Sequence, residues 1–300
     1  MVDVARRCGF VALLGAPNAG KSTLLNHLVG AKVSIVTPKV QTTRTRVLGL
    51  AIRGNAQLVF VDTPGIFQPK RRLDRAMVAA AWAGAADADI VVLLVDSQKG
   101  ITHDVKNIVK GLEKAGRKSI LALNKIDLVK RDKLLELAST LNESGIFTDI
   151  FMISAATGDG VEDLAKTLEE RLPEGPWLYP EDQLSDMAER HLAAEVTREK
   201  LFLQLRQELP YALTVETEEW EDKPDGSVRI AQIIYVQRDS QKSIVLGKGG
   251  QMIKSVGASA RADLEEMMGC KVHLFLFVKV REKWGDDPDR YRDWGLDFDA

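Results

Sequence analysis

Residues 15–22, Gly-Ala-Pro-Asn-Ala-Gly-Lys-Ser, have the types and spacing of a loop that binds phosphate. They match the pattern G-x-x-x-x-G-K-S, and an apolar run at residues 10–14 comes directly before them. In such a loop, backbone N–H groups and the positive end of the following helix attract phosphates. The lysine reaches the β- and γ-phosphates, and the serine hydroxyl binds Mg²⁺. The residues predicted to hold the phosphates are Gly15, Pro17, Asn18, Ala19, Gly20, Lys21, Ser22, Thr23 and, from a later turn, Gly65.

A second motif, the acidic turn Asp-Thr-Pro-Gly at residues 62–65, follows the apolar run 58–61. A carboxylate at the end of a strand after a phosphate loop is typical of the acidic residue held near Mg²⁺. The Gly65 N–H is expected to face the γ-phosphate. The predicted Mg²⁺ ligands are Ser22, Thr43 and Asp62.

A switch loop is predicted between these two motifs, in the stretch Gln-Thr-Thr-Arg at residues 41–44. In nucleotide switches a threonine hydroxyl on Mg²⁺ orders such a loop, and hydrolysis releases it. Thr43 is the preferred ligand, and Thr42 stays open as the alternative. The predicted switch residues are Gln41, Thr42, Thr43, Arg44 and Ile66.

The stretch Asn-Lys-Ile-Asp at residues 124–127 carries side chains that read guanine. Guanine presents two donors, N1–H and the 2-amino group, and the Asp127 carboxylate can accept both. Adenine lacks this pair and would leave a buried carboxylate unpaired, which is costly. Lys125 is expected to lay its aliphatic chain over the ring, and Ser154-Ala155 to offer a backbone N–H to O6. The predicted guanine-binding residues are Asn124, Lys125, Asp127, Ser154 and Ala155.

These motifs together predict a protein that binds GTP or GDP with Mg²⁺ and hydrolyses GTP. Ile66 departs from the signalling GTPases, which usually place a glutamine after this glycine to orient the attacking water. An isoleucine cannot orient water. Intrinsic hydrolysis is therefore expected to be slow unless another group or a cation assists.

The elements that must position these residues are visible as apolar runs at residues 10–14, 58–61, 90–95, 120–123 and 150–153. Near-continuous apolar strands separated by helical patterns indicate a mostly parallel sheet with helices on both faces. Each motif stands just after one of these strands, and ligands of open α/β sheets bind at that edge. The first part of the chain is therefore predicted to be an α/β P-loop GTPase domain.

The length of 300 residues indicates two domains. Prolines punctuate the stretch after residue 172, which is typical of a linker. The predicted division is a GTPase domain at 1–172, a linker at 173–184 and a second domain at 185–300. The second domain has the predicted element order α-β-β-α-α-β.

The second domain contains Gly-Lys-Gly-Gly at residues 247–250, with helical spacing after it and predicted strands on both sides. That context indicates an α+β KH domain of type II, which clamps single-stranded RNA with its GXXG loop. A KH-like fold that only packs against the GTPase domain stays open as the alternative. The predicted RNA-binding residues are Arg238, Lys242, Gly247, Lys248, Gly249, Gly250 and Lys254.

The charge of the chain gives no general signal for nucleic acid, because the formal net charge is −2. Residues 181–300 carry 17 Lys and Arg against 24 Asp and Glu, yet the stretch 238–261 around the GXXG loop is basic. Two distant cysteines and four histidines form no disulfide framework and no metal-binding pattern. No signal peptide or membrane-spanning run is visible, so a cytoplasmic location is expected.

The hydrophobic residue after D-x-P-G, the Gln-Thr-Thr-Arg switch and a type II KH domain together resemble the bacterial Era family over nearly the full length of the chain. The resemblance implies that the KH domain binds the 3′ end of small-subunit ribosomal RNA. It also implies a role in maturing the small ribosomal subunit, and peripheral contact with the inner membrane. Asn18 resembles an asparagine that helps related GTPases hold K⁺, although a loop-stabilising asparagine is the alternative.

Two other functional classes stay open beside this one. One is a membrane-associated signalling GTPase whose second domain is a docking module that binds no RNA. The other is a tRNA-modifying GTPase, which is disfavoured because that class carries a terminal cysteine motif and this chain ends in Phe-Asp-Ala. No protein partner can be identified from the sequence.

Overall fold

The computed structural model describes residues 5–39, 42–206 and 209–300. Within them the chain divides into two compact units. The first contains residues up to Ser34, Thr43–Asp186 and Tyr291–Ala300, and the second contains Ile35–Thr42 and Met187–Arg290. Each unit therefore takes in a short segment that is separate from its main part along the chain. The domain limits at residues 172 and 184 stay a prediction.

The described part of the first unit is built on a six-stranded sheet with strand order β2-β3-β1-β4-β5-β6. Its strands are β1 Arg7–Gly15, β2 Val47–Arg53, β3 Ala56–Asp62, β4 Ile90–Asp96, β5 Ser119–Asn124 and β6 Phe147–Met152. All neighbours pair in parallel except β2 and β3, which form an antiparallel hairpin. The prediction of a mostly parallel sheet is confirmed, although β2 was not predicted.

Helices cover this sheet because their apolar residues recur at helical spacing. The helices of the first unit are α1 Lys21–Val29, α2 Arg72–Asp87, α3 His103–Lys114, α4 Arg131–Asn142 and α5 Val161–Arg171. In α3, for example, Val105, Ile108 and Leu112 are buried against the sheet. The Thr102 hydroxyl starts that helix by accepting a hydrogen bond from the Val105 N–H at 3.3 Å.

The strand register brings the motifs to one edge of the sheet. Leu13 near the end of β1 lies opposite Asp62, the last residue of β3. At the ends of β4 and β5, Asp96 lies opposite Asn124. The phosphate loop leaves β1 between β3 and β4, which is the kind of position where α/β sheets bind ligands.

The described part of the second unit has the element order α-β-β-α-α-β. Its elements are α6 Glu189–Gln204, β7 Leu213–Asp222, β8 Val228–Val236, α7 Asp239–Leu246, α8 Gln251–Met268 and β9 Val272–Val280. Strand β8 pairs antiparallel with β7 and parallel with β9. Apolar residues of α6, α8 and the sheet form its core. The predicted KH architecture is confirmed.

The predicted linker, residues 173–184, runs beside β2 and β3 in the first unit. The Gln57 side chain accepts hydrogen bonds from the N–H groups of Leu178 (2.8 Å) and Tyr179 (3.0 Å) and donates to the Tyr179 carbonyl (2.8 Å). The Leu50 N–H donates to the Leu184 carbonyl at 2.9 Å. This stretch is therefore bound to the unit along its length.

A C-terminal segment, Tyr291–Ala300, packs on α2 in the first unit. Tyr291 is fully buried in a cluster with Met77 and Leu296. The Arg72 guanidinium lies 4.2 Å from the ring centroid of Phe298. Residues 288–293 form the last helix, α9 Pro288–Asp293. Over the described residues, no helix is both long and apolar enough to cross a membrane.

Candidate nucleotide and RNA sites

The phosphate loop connects β1 to α1. At position 20 its backbone has a conformation that only glycine adopts easily. Gly20 precedes α1 with a φ of 98°, and a Cβ there would lie 2.2 Å from Asn124 Nδ2. Gly65 is also closely packed, because a Cβ on it would lie 2.9 Å from Pro17 N and Cα. Asn18 has a φ of 65°, another left-handed position in the same turn. The remaining predicted members are Gly15 and Ala19, which are buried, and Thr23, which is half-buried in α1.

Lys21 lies inside the loop, with 6% of its surface exposed. Its Nζ donates to the carbonyls of Gly15 (3.3 Å) and Ala16 (3.4 Å). Burial lowers the pKa of Lys21, and the nearby Asp62 carboxylate opposes that shift. The ammonium group is thus fixed at the mouth of the loop, where phosphate charge would compensate its desolvation.

The three predicted Mg²⁺ ligands come together in the structure. Ser22 Oγ donates to Asp62 Oδ2 at 2.6 Å and lies 3.0 Å from Thr43 Oγ1. Thr43 Oγ1 also donates to Asp62 Oδ2, at 3.4 Å. The second carboxylate oxygen, Asp62 Oδ1, is buried and has no hydrogen-bond partner within the described residues. Hydroxyl and carboxylate oxygens are the donors that Mg²⁺ prefers, and the orphaned oxygen fits a cation here.

The pKa of Asp62 is raised by burial. Its contacts with Lys21, Ser22, Ser34 and Thr43 act in the opposite direction. A buried carboxylate of this kind is stabilised when a cation is present beside it.

The hydroxyl of Thr42, the alternative Mg²⁺ ligand, is engaged by other groups. Its hydroxyl bonds to the Thr37 hydroxyl at 2.7 Å and donates to the Lys39 carbonyl at 2.9 Å. The geometry therefore favours Thr43 as the switch ligand over the alternative. Arg44, another predicted switch residue, is buried in the first unit. Gln41, the remaining loop residue, lies outside the described residues.

The segment Ile35–Thr42 is held by α6 within the second unit. The Val36 N–H donates to Glu199 Oε1 at 2.8 Å, and the Arg198 guanidinium donates to the Thr42 carbonyl. The Lys39 ammonium group donates to two backbone carbonyls at the end of α6. The chain thus leaves the first unit after Ser34 and returns to it at Thr43.

Asn124 joins three of the motifs through its side-chain amide. Its Nδ2 donates to the Ala19 carbonyl at 2.8 Å, which links it to the phosphate loop. Its Oδ1 accepts from the N–H groups of Lys125 (2.8 Å) and Ala155 (2.9 Å). The amide is 2% exposed, so Asn124 positions the neighbouring loops.

Lys125 adopts a φ of 66°, and its ammonium group donates to Asp96 Oδ2 at 2.7 Å. Asp127 projects from a short 3-10 turn and is exposed. The Ser154 N–H donates to the Asp159 carbonyl at 2.8 Å. Because the Ala155 N–H is also engaged, a direct contact of this pair with guanine O6 stays a prediction.

Ile66 is buried, with 5% of its surface exposed, in the core formed by β1, β4 and α2. Its N–H donates to the Gly15 carbonyl at 3.1 Å, which holds the turn after β3 against the phosphate loop. The side chain therefore packs in the core and orients no water.

The GXXG loop lies between α7 and α8 in the second unit. Gly247, Gly249 and Gly250 have positive φ values of 71°, 58° and 77°. A Cβ on Gly247 would lie 2.7 Å from Met252 Cβ, whereas positions 249 and 250 face open space. Such a surface can approach a sugar-phosphate backbone closely. Around it, Arg238, Lys248 and Lys254 are exposed and Lys242 is half-buried.

Several residues of the two sites were not predicted. Asp96, which pairs with Lys125, ends the apolar run 90–95, so its place after a strand was an available signal. Ser34, which donates to Asp62 at 3.0 Å, and Arg198, which holds Thr42, belong to no motif. No pattern in the sequence marks either of them.

Comparisons with known families and relatives agree with this architecture. A family model described as "50S ribosome-binding GTPase" matches residues 10–125, and one described as "KH domain" matches residues 208–285. The chain is 63% identical to the GTPase Era of Sinorhizobium medicae (strain WSM419), over 98% of this chain and 95% of that relative. It is also 63% identical to the GTPase Era of Agrobacterium fabrum (strain C58), over 97% and 92% of the two chains.

Solved structures give the same result over both units. The chain is similar to an Era structure in complex with MgGDPNP and nucleotides 1506–1542 of 16S ribosomal RNA, with 38% identity and a TM-score of 0.91. That match covers 97% of this chain and 99% of the other. An Aquifex aeolicus Era variant bound to GDP and aluminium fluoride matches with 39% identity and a TM-score of 0.91, over 96% and 99% of the two chains.

The predicted fold, family and enzyme class are all confirmed by these matches. The similarity extends through the nucleotide-binding unit and the unit with the GXXG loop, and it includes nearly the whole length of each relative. The chain therefore belongs to the Era family of GTPases.

Proposed function

We propose that this GTPase binds the 3′ end of small-subunit ribosomal RNA through its KH domain and acts in the maturation of the small ribosomal subunit. The observation that carries the proposal is the match, over both units, to a relative solved with a 16S ribosomal RNA fragment. The open GXXG loop with exposed Lys248 and Lys254 supports it. The family model that names the 50S subunit covers only residues 10–125 and therefore does not include the KH domain.

In the nucleotide site, Lys21 and the backbone of the phosphate loop would hold the β- and γ-phosphates. Ser22, Thr43 and Asp62 would hold Mg²⁺, which when bound neutralises charge shared between those phosphates. Asp127 would select guanine, and Asn124 fixes the loops that carry both functions. Gly65 would offer its N–H to the γ-phosphate.

Hydrolysis needs a group other than Ile66 to assist the water, because that side chain is buried in the core. We propose that a K⁺ ion near Asn18 supplies additional positive charge at the phosphates, where charge accumulates in the transition state. Support comes from the place of Asn18 in the phosphate loop and its left-handed backbone.

Replacing K⁺ by Na⁺ is expected to slow GTP turnover, because the smaller ion does not fit the same oxygen ligands. The Asn18→Ala variant is expected to turn over at the same rate in both salts. The measurement is phosphate release at equal ionic strength in KCl and NaCl. Asn142→Ala, an exposed asparagine at the end of α4, is the matched control and should keep the salt effect. Equal wild-type rates in the two salts would contradict the K⁺ proposal.

The nucleotide state is proposed to control RNA affinity through the segment Ile35–Thr42. This segment belongs to the second unit, while the next residue, Thr43, lies beside Ser22 and Asp62 in the first. Ordering of Thr43 by a triphosphate would therefore act on a stretch that α6 holds through Arg198 and Glu199. By reciprocity, RNA would change nucleotide affinity by the same factor.

RNA affinity is expected to be about tenfold different between GDP and a non-hydrolysable GTP analogue, within the usual range of allosteric coupling. The measurement is a fluorescence titration of a single-stranded RNA oligonucleotide, with the sequence of the 3′ end of 16S ribosomal RNA, against the full chain. Gly249→Asp should abolish binding, because it places a carboxylate where phosphates would lie. The side chain enters open space, and aspartate tolerates the φ of 58° better than most residues.

Gly269→Asp is the matched control for this experiment. Gly269 directly follows α8, has a φ of 65° and also faces open space, so the change in charge and backbone is the same. It should bind RNA as the wild type does. Equal RNA affinity in both nucleotide states would contradict the proposed coupling but not the proposed RNA binding. If the protein binds no RNA in both nucleotide states, the RNA proposal is contradicted, and the signalling GTPase with a docking module is favoured.

A cytoplasmic location remains a proposal drawn from the sequence, and a peripheral contact with the inner membrane remains one drawn from the family resemblance.

A further inference from the structure

Ser34 stands beside the proposed Mg²⁺ site although it belongs to none of the nucleotide-binding motifs. Its hydroxyl donates to Asp62 Oδ2 at 3.0 Å, and the residue is 3% exposed. Ser22 donates to the same oxygen at 2.6 Å. With the longer contact from Thr43 at 3.4 Å, three hydroxyl groups surround this carboxylate oxygen, and those of Ser22 and Ser34 are the nearer two. Asp62 Oδ1 is left without a partner in the described part of the chain.

Two short hydrogen bonds to one oxygen restrict how the carboxylate can rotate. A carboxylate oxygen has two lone pairs, and the hydroxyl groups of Ser22 and Ser34 lie closer to it than that of Thr43. The plane of the Asp62 carboxylate is then fixed, and its free oxygen points to a constant place. Without Ser34, the hydrogen bond from Ser22 and the longer contact with Thr43 would remain, and the carboxylate would turn more easily.

The backbone of Ser34 is itself held by a side chain of α1. Asn26 Oδ1 accepts from the N–H groups of Val33 (3.0 Å) and Ser34 (2.9 Å), and its Nδ2 donates to the Ser34 carbonyl (2.7 Å). Ser22 and Asn26 are four residues apart on α1 and so share one face of it. One helix thus carries the predicted metal ligand and also the group that positions Ser34.

We propose that Ser34 is a positioning residue for the Mg²⁺ site, whose hydroxyl, held in place through Asn26, fixes the Asp62 carboxylate for the cation. The inference rests on the proposed role of Ser22 and Asp62 in binding Mg²⁺. Groups that orient metal ligands typically change metal affinity by 10- to 100-fold when they are lost. Ser34 is also the last residue of the first unit before the segment Ile35–Thr42, so the same hydrogen bond fixes the residue from which that segment starts.

The test measures how free Mg²⁺ slows the release of a fluorescent GDP analogue from the full chain, by stopped-flow fluorescence in metal-buffered solutions. Ser34→Ala should raise the Mg²⁺ concentration for half-maximal slowing by about tenfold. It should leave the release rate without Mg²⁺ unchanged. Ser34→Thr keeps the hydroxyl and should restore the wild-type value, which a loss of packing alone would not explain.

Ser144→Ala is the matched control, because the Ser144 hydroxyl also donates a single hydrogen bond, to the Leu141 carbonyl at 2.8 Å, at the end of α4. It should behave as the wild type. If Ser22→Ala weakens the response to Mg²⁺ and Ser34→Ala does not, the role of Ser34 is refuted while the metal site stands. If neither the wild type nor Ser22→Ala responds to Mg²⁺, the metal site itself is wrong.

Discussion

The Asp127→Asn variant is expected to prefer xanthosine triphosphate to GTP. The carboxylate accepts two hydrogen bonds from guanine, whereas the amide presents a donor that faces the guanine 2-amino group. Xanthine carries a carbonyl at that position and can accept from the amide. GTP affinity should fall by about a hundredfold, which corresponds to the loss of a charge-assisted pair.

Calorimetric titration with GTP and with xanthosine triphosphate measures this change of preference. Asp127 is exposed on a 3-10 turn, so the substitution should leave the unfolding temperature unchanged. Asp132→Asn, an exposed position in the first turn of α4, is the matched control and should keep the preference for GTP. Unchanged GTP affinity in Asp127→Asn would show that another residue reads the base.

The Lys21→Ala variant is expected to lose GTP binding at micromolar concentrations. Lys21 is 6% exposed, and its ammonium group is held by two loop carbonyls within reach of the phosphates. Alanine would leave those carbonyls turned toward phosphate charge with no cation between them. Since a charged hydrogen bond in a low-dielectric site is worth several kcal/mol, we expect a loss of at least about a hundredfold in affinity.

Binding of a fluorescent GTP analogue and far-ultraviolet circular dichroism separate lost binding from lost folding. We expect the fold to stay intact by circular dichroism, because the buried ammonium group itself carries a desolvation cost. Lys133→Ala, an exposed lysine of α4 that donates to the Gln98 carbonyl at 3.1 Å, should bind GTP normally. Normal binding by Lys21→Ala would place the phosphates elsewhere.

The edge of the sheet where the motifs meet was predictable because each motif follows an apolar run. Five such runs indicated parallel strands, and parallel strands bring their carboxyl ends to one edge. Strand β2 was missed, although the Gly54-Asn55 turn between two apolar stretches is a hairpin signal. The antiparallel partner of β3 was therefore available from the sequence.

Contacts between distant parts of the chain were not predictable in this way. Arg198 holds the carbonyl of Thr42 across more than 150 positions, and nothing in the local pattern of α6 marks it. Ser34 and Asn26 are common polar residues whose roles depend on a loop conformation that propensity does not define. The exposure of Asp127 likewise depends on where a 3-10 turn ends.

The packing of Tyr291–Ala300 on α2 has a consequence for the order in which the protein is made. The ribosome synthesises this segment after every strand and helix of the second unit, and long after α5 completes the main part of the first. Until then the side chains of Tyr291 and Leu296 that pack against Met77 on α2 are not available. The GTPase unit therefore reaches its final burial only after the KH unit has been synthesised.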